Sequence, residues 1–180
     1  MERPERLTRT LDSPVGRLAL TAVGPALVRI AWADQEPGDP LALAGDSPML
    51  TQVVAQIEQY FAGARRAFDL PSAPAGTGFQ RRVWTEMTRI PFGSTSTYGA
   101  LADTLGSSPR AVGQACGANP IPIVIPCHRV LGAGGNPGGY SGGAGLDTKL
   151  ALLALEGARP SEPDLFGRNQ RSPRPAAPRI

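Results

Sequence analysis

Cys127 and His128 stand side by side in IPIVIPCHRV, and His128 is the only histidine of the chain. A cysteine becomes a strong nucleophile when a base removes its proton, and imidazole is the side chain that titrates near neutral pH. The pair therefore indicates nucleophilic chemistry at Cys127. A free cysteine is more often a small buried hydrophobic residue, so a purely structural thiol stays open as the alternative.

The backbone around the pair limits how the two side chains meet. Pro126 favours an extended, irregular segment, and adjacent side chains on an extended chain point to opposite sides. We therefore expect His128 to reach the Cys127 sulfur through a bridging water, with a carboxylate behind the imidazole to fix its tautomer. Of the acids in the second half, we choose Glu156, because it ends a leucine-rich helix where an unpartnered carboxylate is costly. Within residues 76–157, the other acids are Glu86, Asp103 and Asp147.

Composition restricts the class of protein. A chain of 180 residues suffices for one or two compact domains. No apolar run reaches the length of a membrane span and MERPERLTRT is not a signal peptide, so we expect a soluble, cytoplasmic protein. The two cysteines, Cys116 and Cys127, are interpreted as free thiols, and with one histidine they leave no recognisable zinc site. The net charge of +3 is mild, with the positive excess in the second half, where it weakly favours a polyanionic partner.

Residues 1–75 are predicted to form an α/β supporting domain. Alternating apolar residues indicate strands over 6–11, 17–22 and 27–32, which together form a short β-meander. Ser47 caps a helix that runs to about residue 62, and a short strand is predicted over 67–70. The Pro- and Gly-rich segment 71–78 is the linker, so the fold class is α+β.

Residues 76–157 are predicted to form a mainly helical domain. Thr77 and Gln80 form a capping box ahead of one helix. A second helix spans 98–105, and Ser108 caps a third that ends near Gly117, which is the pattern of a helix-turn-helix; an ordinary αα-hairpin fits the spacing equally well. Asp147 is expected to cap the last helix. Residues 158–180, rich in Pro and Arg, are predicted to be a disordered tail.

The third of these helices has mostly small side chains. Its only long polar residues are Arg110 and Gln114, which share one face at a spacing of four residues. A helix of this kind can bring its backbone close to a surface with Arg110 projecting. Close packing in a core explains the small residues as well, and Arg110 favours the surface role.

These motifs together resemble the O6-alkylguanine-DNA alkyltransferases, also called methylated-DNA–protein-cysteine methyltransferases. PCHRV is similar to the active-site signature of that family, and the similarity continues in family order through FQRRVW, IPFGSTSTYGALA, RAVGQACGANP, GGYSGG and ALEG. DSPVGRLAL and QYFAG resemble the more variable N-terminal domain. The resemblance implies a ribonuclease H-like N-terminal domain followed by a helical domain with a helix-turn-helix.

The resemblance also implies an activity and a partner. A monomer of such a protein flips a nucleotide out of double-stranded DNA that contains O6-alkylguanine. It then transfers the alkyl group from O6-methylguanine, and from O4-methylthymine, to its own cysteine, irreversibly and once. No cofactor is implied, and this chain lacks the residues that hold zinc in the N-terminal domain of some relatives. A bacterial cytoplasmic location, on the nucleoid when bound to DNA, follows.

The resemblance assigns roles to individual residues. Cys127 accepts the alkyl group, His128 takes its proton through a water, and Glu156 orients His128. Tyr98 donates a proton toward the leaving purine, and Asn119 braces the turn before the active-site segment. Arg110 enters the duplex from the minor groove and fills the gap. The remaining implied residues are Ser108, Ala111 and Gln114 for DNA binding, and Val130, Tyr140, Ser141 and Lys149 for the base pocket.

Three other functions remain open on the sequence. An alkyltransferase-like module would bind the lesion without transfer, although such proteins lack the cysteine that is present here. A cysteine hydrolase would use Cys127 and His128, but a protease pair normally comes from separated segments. A helix-turn-helix regulator would leave Cys127 merely buried. The Arg-rich tail is expected to add non-specific DNA affinity.

Overall fold

A four-stranded mixed sheet organises the N-terminal half in the computed structural model, which describes residues 5–35, 39 and 41–158. The strands are β1 (Arg6–Leu11), β2 (Leu18–Val23), β3 (Ala26–Trp32) and β4 (Leu43–Ala44), in the order β3-β2-β1-β4. The first three are antiparallel neighbours, as a meander requires, whereas β4 pairs parallel to β1. The three predicted strands are present, and β4 is an addition too short to give a periodic pattern.

One long helix, α1 (Pro48–Phe61), packs on this sheet. Ser47 caps it, accepting a hydrogen bond from the Leu50 amide at 3.1 Å. The strand predicted over 67–70 is wrong. The side-chain amide of Gln56 donates to the Asp69 carbonyl at 2.8 Å and accepts from the Asp69 amide at 2.9 Å, so the backbone groups that a sheet would use are satisfied by α1.

The C-terminal half begins with three packed helices, α2 (Gly78–Thr88), α3 (Tyr98–Leu105) and α4 (Pro109–Gly117), with the two-residue strand β5 (Ser96–Thr97) before α3. Both halves of the predicted capping box on α2 are formed. Gly106 ends α3 at φ 60°, the left-handed conformation that glycine adopts without strain. Ser108 caps α4, so α3 and α4 are two packed helices joined by the short turn over residues 106–108 that the sequence predicts.

After α4, the chain forms one more short strand and a last helix. Strand β6 (Val130–Leu131) pairs parallel to β5, and α5 (Leu146–Leu155) follows a Gly-rich loop. Asp147 lies in the first turn of α5 and does not cap it, contrary to the prediction. Gly145, at φ 64°, occupies the cap position, and the nearby Ala144 amide donates to the Thr148 hydroxyl at 2.9 Å.

The two halves share one apolar core. A continuous cluster of buried side chains runs from the N-terminal sheet through α1 into α2, α4 and the segment before β6. Ala158, assigned to the tail from sequence, is buried against Leu131 and Leu153, and the remainder of that predicted tail lies outside the described residues. Within the described part of the chain, no helix is long and apolar enough to span a membrane. The predicted α+β class is confirmed.

Candidate active site

A tight turn over residues 119–126 presents Cys127. The Asn119 side chain donates to the Ile125 carbonyl at 2.8 Å and accepts from the Ile121 amide at 3.0 Å. Ile123 has φ 75°, a left-handed conformation that a β-branched residue rarely adopts. Pro126 then forms an inverse γ-turn, closed by the Cys127 amide on the Ile125 carbonyl at 2.8 Å. Asn119 therefore holds together a strained turn immediately before the thiol.

Cys127, His128 and Arg129 form a single 3₁₀ turn. The extended backbone expected from sequence is wrong here, because the inverse γ-turn at Pro126 leads into a helical conformation. Successive side chains on a 3₁₀ turn are about 120° apart, so the three side chains point in three directions. The Cys127 and His128 side chains still diverge, but helical rather than extended geometry separates them.

The Cys127 side chain lines a cavity of about 430 Å³. The cavity lies between the end of β3, the small-sided face of α4 and the Gly-rich loop before α5. Its volume is within the range of pockets that hold one small-molecule ligand. The lining residues that bear on chemistry are Tyr98, Cys116, Asn119, Cys127, Tyr140 and Ser141.

Burial controls the ionisation of the thiol. Cys127 is only 8% exposed, and this burial raises its pKa, while Asn119, Tyr140 and the Lys149 ammonium lower it in part. The net result is a pKa above the ordinary value of 9.0. Cys127 is therefore a protonated thiol at neutral pH, and a base must remove its proton before it can attack.

The surroundings of His128 suit the role of such a base. Its Nε2 lies 2.8 Å from Oε1 of Glu156, and burial lowers its pKa below the ordinary 6.5 despite the attraction of that carboxylate. Because an ionised carboxylate only accepts hydrogen bonds, Nε2 carries the ring proton and Nδ1 is left with a free lone pair. Nδ1 is buried and has no hydrogen-bond partner among the residues described.

The Glu156 carboxylate accepts hydrogen bonds from both halves of the molecule. Besides His128, it accepts from the Tyr60 hydroxyl at 2.7 Å, from Nε and Nη2 of Arg129 at 2.9 Å each, and from the Gly93 amide at 3.2 Å. Burial raises the pKa of this carboxyl, but the hydrogen bonds from His128 and Arg129 outweigh that effect and lower it to about 2. Glu156 is thus a fixed anion that orients His128.

Two tyrosines face the cavity. Tyr98 opens α3, and burial together with the two cysteine thiols raises its pKa to about 12, so it is a proton donor at neutral pH. The Tyr140 hydroxyl is buried near the Cys127 sulfur and has no partner in hydrogen-bond geometry among the described residues. The cavity therefore offers phenolic donors to a polar ligand beside the thiol.

The outer face of α4 lies beside the cavity and points to solvent. Ser108, Arg110 and Gln114 are exposed, and Ala111 is half-buried. The Ser108 hydroxyl accepts from the Ala111 amide at 3.2 Å, so its main structural role is to cap the helix. The inner face contributes Gly113, Cys116 and Gly117 to the cavity. One short helix thus joins a solvent-facing arginine to the thiol chamber.

Comparisons with known proteins agree over nearly the whole of the described chain. A family model described as 6-O-methylguanine DNA methyltransferase, DNA binding domain, matches residues 78–158, and the corresponding ribonuclease-like domain model matches residues 7–74. A methylated-DNA–protein-cysteine methyltransferase of Mycolicibacterium paratuberculosis is 46% identical over 158 residues, covering 82% of this chain and 90% of that protein. The chain belongs to the O6-methylguanine DNA methyltransferase family.

Solved structures of family members support the same fold. The crystal structure of Mycobacterium tuberculosis O6-methylguanine methyltransferase has a TM-score of 0.77 at 42% identity, covering 84% of this chain and 93% of that one. The structure of Mycobacterium tuberculosis OGT in complex with DNA has a TM-score of 0.76 at 41% identity, covering 83% and 92% respectively. The C-terminal half of this family member is accordingly a DNA-binding domain.

The structure brings together most of the residues predicted for the methyltransferase site. Cys127, Tyr98, Asn119, Tyr140 and Ser141 line one cavity, with His128 and Glu156 directly behind the thiol. Val130 and Lys149 are not among the lining residues, although both were predicted for the base pocket. They lie behind its wall, where the buried Lys149 ammonium donates to the Val130 carbonyl at 2.7 Å.

Three residues around the site were missed from sequence. Tyr60 gave a usable signal, because it is the one phenol on the apolar face of α1 and a buried hydroxyl needs a partner. Arg129 gave another, since a guanidinium next to an apolar run needs an acid. Trp32 gave none, because only the fold brings the end of β3 to the cavity.

Proposed function

We propose that this family member repairs DNA by direct reversal, moving the alkyl group of O6-methylguanine, and of O4-methylthymine, to Sγ of Cys127. The observation that carries the proposal is the buried thiol at the wall of a base-sized cavity, with the His128–Glu156 pair behind it. The thioether product has no route back to a thiol within this site. Each molecule therefore reacts once and needs no cofactor.

Proton removal from Cys127 is the first step. The free lone pair on Nδ1 of His128 accepts the thiol proton through one water, because the 3₁₀ turn directs the two side chains apart. The resulting imidazolium is stabilised by Glu156, which stays ionised. His128 is needed as a base only once per molecule.

Alkyl transfer follows at the flipped base. The thiolate attacks the alkyl carbon, the S–C bond forms, and the C–O6 bond breaks with its electron pair going to the purine. Tyr98, a protonated phenol, donates toward the purine as this charge develops. In net terms the proton that leaves Cys127 ends on guanine, so the base leaves as an ordinary neutral guanine.

Duplex DNA is the proposed partner. A base within the stack is out of reach of a buried thiol, so it must be flipped, at a cost of a few kcal/mol. Arg110, exposed on α4, enters from the minor groove and occupies the gap, while Ser108, Ala111 and Gln114 contact the strand beside it. The small side chains of α4 allow this close approach. The match to the family's DNA-binding domain and the relative solved with DNA support DNA binding by this half of the chain.

We also infer how the protein is organised and where it acts. Residues 1–75 serve as the supporting domain and residues 76–157 carry DNA binding and transfer, a division that the two family matches favour. A monomer suffices, because every group used in the proposed mechanism comes from one chain. Since the substrate is chromosomal DNA and the named relative is bacterial, the protein is expected in the bacterial cytoplasm, on the nucleoid.

The decisive experiment is to measure the intact mass of the protein by mass spectrometry after incubation with duplex DNA containing O6-methylguanine. The expected result is a gain of one CH₂ per molecule, located on Cys127 by peptide mapping, and no further gain with excess DNA. Cys127→Ser should show no gain while still binding the duplex. Tight binding of the lesion by the unaltered protein without any mass change would instead support a lesion-binding module.

A further inference from the structure

The wall of the cavity is not built by the DNA-binding domain alone. Ile30, Ala31 and Trp32, the last residues of β3 in the N-terminal sheet, line it alongside the residues of α4 and the Gly-rich loop. Trp32 is the largest of the three and only 6% exposed. A rigid aromatic ring from one domain therefore borders the chamber in which the other domain performs chemistry.

The indole of Trp32 is held in place by residues of the N-terminal half. Its Nε1 donates to the Val15 carbonyl at 2.8 Å, in the turn between β1 and β2. Gly16 packs against the same ring so closely that an added Cβ would lie 3.2 Å from it. Hydrogen bond and packing together give the ring one orientation relative to the sheet.

The Gly-rich loop also packs against the indole. A Cβ added at Gly142 would lie 2.3 Å from the ring, and one added at Gly143 would lie 2.7 Å from Nε1, so the loop backbone rests directly on the indole. Tyr140 meets it edge-on, with ring centroids 6.2 Å apart at 85°. A loop rich in glycine has little conformational preference of its own, and the indole supplies a fixed support.

We propose that Trp32 is a specificity-determining residue that sets the width of the base pocket and hence the size of alkyl group it accepts. The inference rests on the proposed function. Trp32 acts in two ways: its ring occupies space at the cavity wall, and it holds Tyr140 and Ser141 at their distance from Cys127. Loss of the ring removes both restraints and favours bulkier alkyl groups.

The test compares two substrates with the full-length chain. Single-turnover rate constants are measured for duplexes containing O6-methylguanine or O6-benzylguanine, from the mass adduct on Cys127. In Trp32→Ala, the ratio of the benzyl to the methyl rate constant should rise about tenfold, the scale on which apolar pockets discriminate size. In Trp32→Phe, which keeps an aromatic ring, the ratio should stay close to that of the unaltered protein.

A matched control separates pocket width from general loosening. Leu20, fully buried in β2 and not a lining residue, is replaced in Leu20→Ala, which should leave the ratio unchanged even if both rates fall. If circular dichroism shows Trp32→Ala unfolded, Trp32→Leu replaces it, with a smaller rise expected. An unchanged ratio in the folded Trp32 variant, or an equal rise in Leu20→Ala, overturns the inference. Failure of the unaltered protein to accept methyl would overturn the proposed function instead.

Discussion

At the scale of residues, the thiol and the imidazole are both kept neutral by burial. Burial raises the pKa of Cys127 and lowers that of His128, so neither group is charged before substrate enters. A neutral pair avoids the cost of burying two ions. In the proposed mechanism, the reactive thiolate forms only when the proton moves to His128, whose positive charge Glu156 is already placed to stabilise.

This arrangement predicts a flat pH profile for the transfer rate. His128 has a pKa below 6.5 and loses its role as a base only when it is protonated, whereas Cys127 stays a thiol up to 9.0 and beyond. The single-turnover rate constant on methylated duplex should therefore be constant between 6.5 and 9.0 and fall only at lower pH. In His128→Gln, the residual rate should instead increase with pH. A tenfold rise per pH unit in the unaltered protein would contradict the mechanism.

The contacts of Glu156 predict that the free energy of unfolding depends on pH. Glu156→Gln leaves the buried Arg129 guanidinium without an anionic partner, which should cost about 3–5 kcal/mol of unfolding free energy at neutral pH. The Glu156 pKa falls from 4.5 to about 2 on folding, so its stabilisation is complete above 4.5 and is lost as pH falls toward 2. Urea denaturation across this range should show the difference between the two proteins shrinking on acidification.

The control for this prediction is a carboxylate in a surface pair. Glu86 meets Arg89 one helical turn away, with the arginine largely exposed. Glu86→Gln should cost less than about 1 kcal/mol, because solvent screens such pairs. A difference between Glu156→Gln and the unaltered protein that did not change with pH would show that Glu156 is not ionised through its contacts with His128 and Arg129.

At the scale of elements, the sequence predicted those features that depend on interactions between residues close together in the chain. The capping box on α2, Ser108 on α4 and Gly106 after α3 were all readable, because each satisfies backbone groups within a few residues. The turn at Ile123, the 3₁₀ turn at Cys127 and the pairing of β5 with β6 were not. Their conformations depend on contacts between segments distant in the chain or on backbone strain, which periodicity does not report.

Asn119 provides the test at this scale. Asn119→Ala leaves the Ile121 amide without its partner and removes one of the two hydrogen bonds on the Ile125 carbonyl, which should cost about 2–3 kcal/mol of stability. Because the same turn positions the thiol, the rate of alkyl transfer should fall by a larger factor than binding of the duplex. Displacement of a reacting group by about 1 Å costs on the order of a hundredfold in rate.

The comparison variant is Asn136→Ala. Asn136 also closes a turn, accepting from the Gly138 amide at 2.9 Å, but it is exposed and is not among the residues that line the cavity. Its loss should change both stability and rate little. A normal transfer rate in a folded Asn119→Ala protein would show that the turn does not position Cys127.

At the scale of the whole molecule, the N-terminal half is joined to the site through the core and through two specific contacts. Tyr60 of α1 donates to Glu156, and Trp32 of β3 supports the loop that carries Tyr140. The shared core predicts that the halves unfold together, since neither can expose its side of the cluster without exposing the other.

The two tryptophans of the chain make this measurable. Trp32 lies in the N-terminal half and Trp84 in the C-terminal half, so Trp84→Phe and Trp32→Phe each leave one fluorescent reporter. For each variant, the urea midpoint from fluorescence should coincide with the midpoint from far-ultraviolet circular dichroism. A Trp32 signal that is lost at lower urea than the dichroism would mean that the N-terminal half unfolds on its own.

The position of Trp32 has an optical consequence as well. Its indole borders the cavity, so a purine that enters changes the polarity around the ring and quenches its emission by contact. Trp84, hydrogen-bonded to the Ala115 carbonyl at 2.8 Å within the core, is shielded from that event. In Trp84→Phe, Trp32 is the one remaining tryptophan. Quenching of its fluorescence is therefore expected to report the arrival of a flipped nucleotide before any bond to sulfur forms.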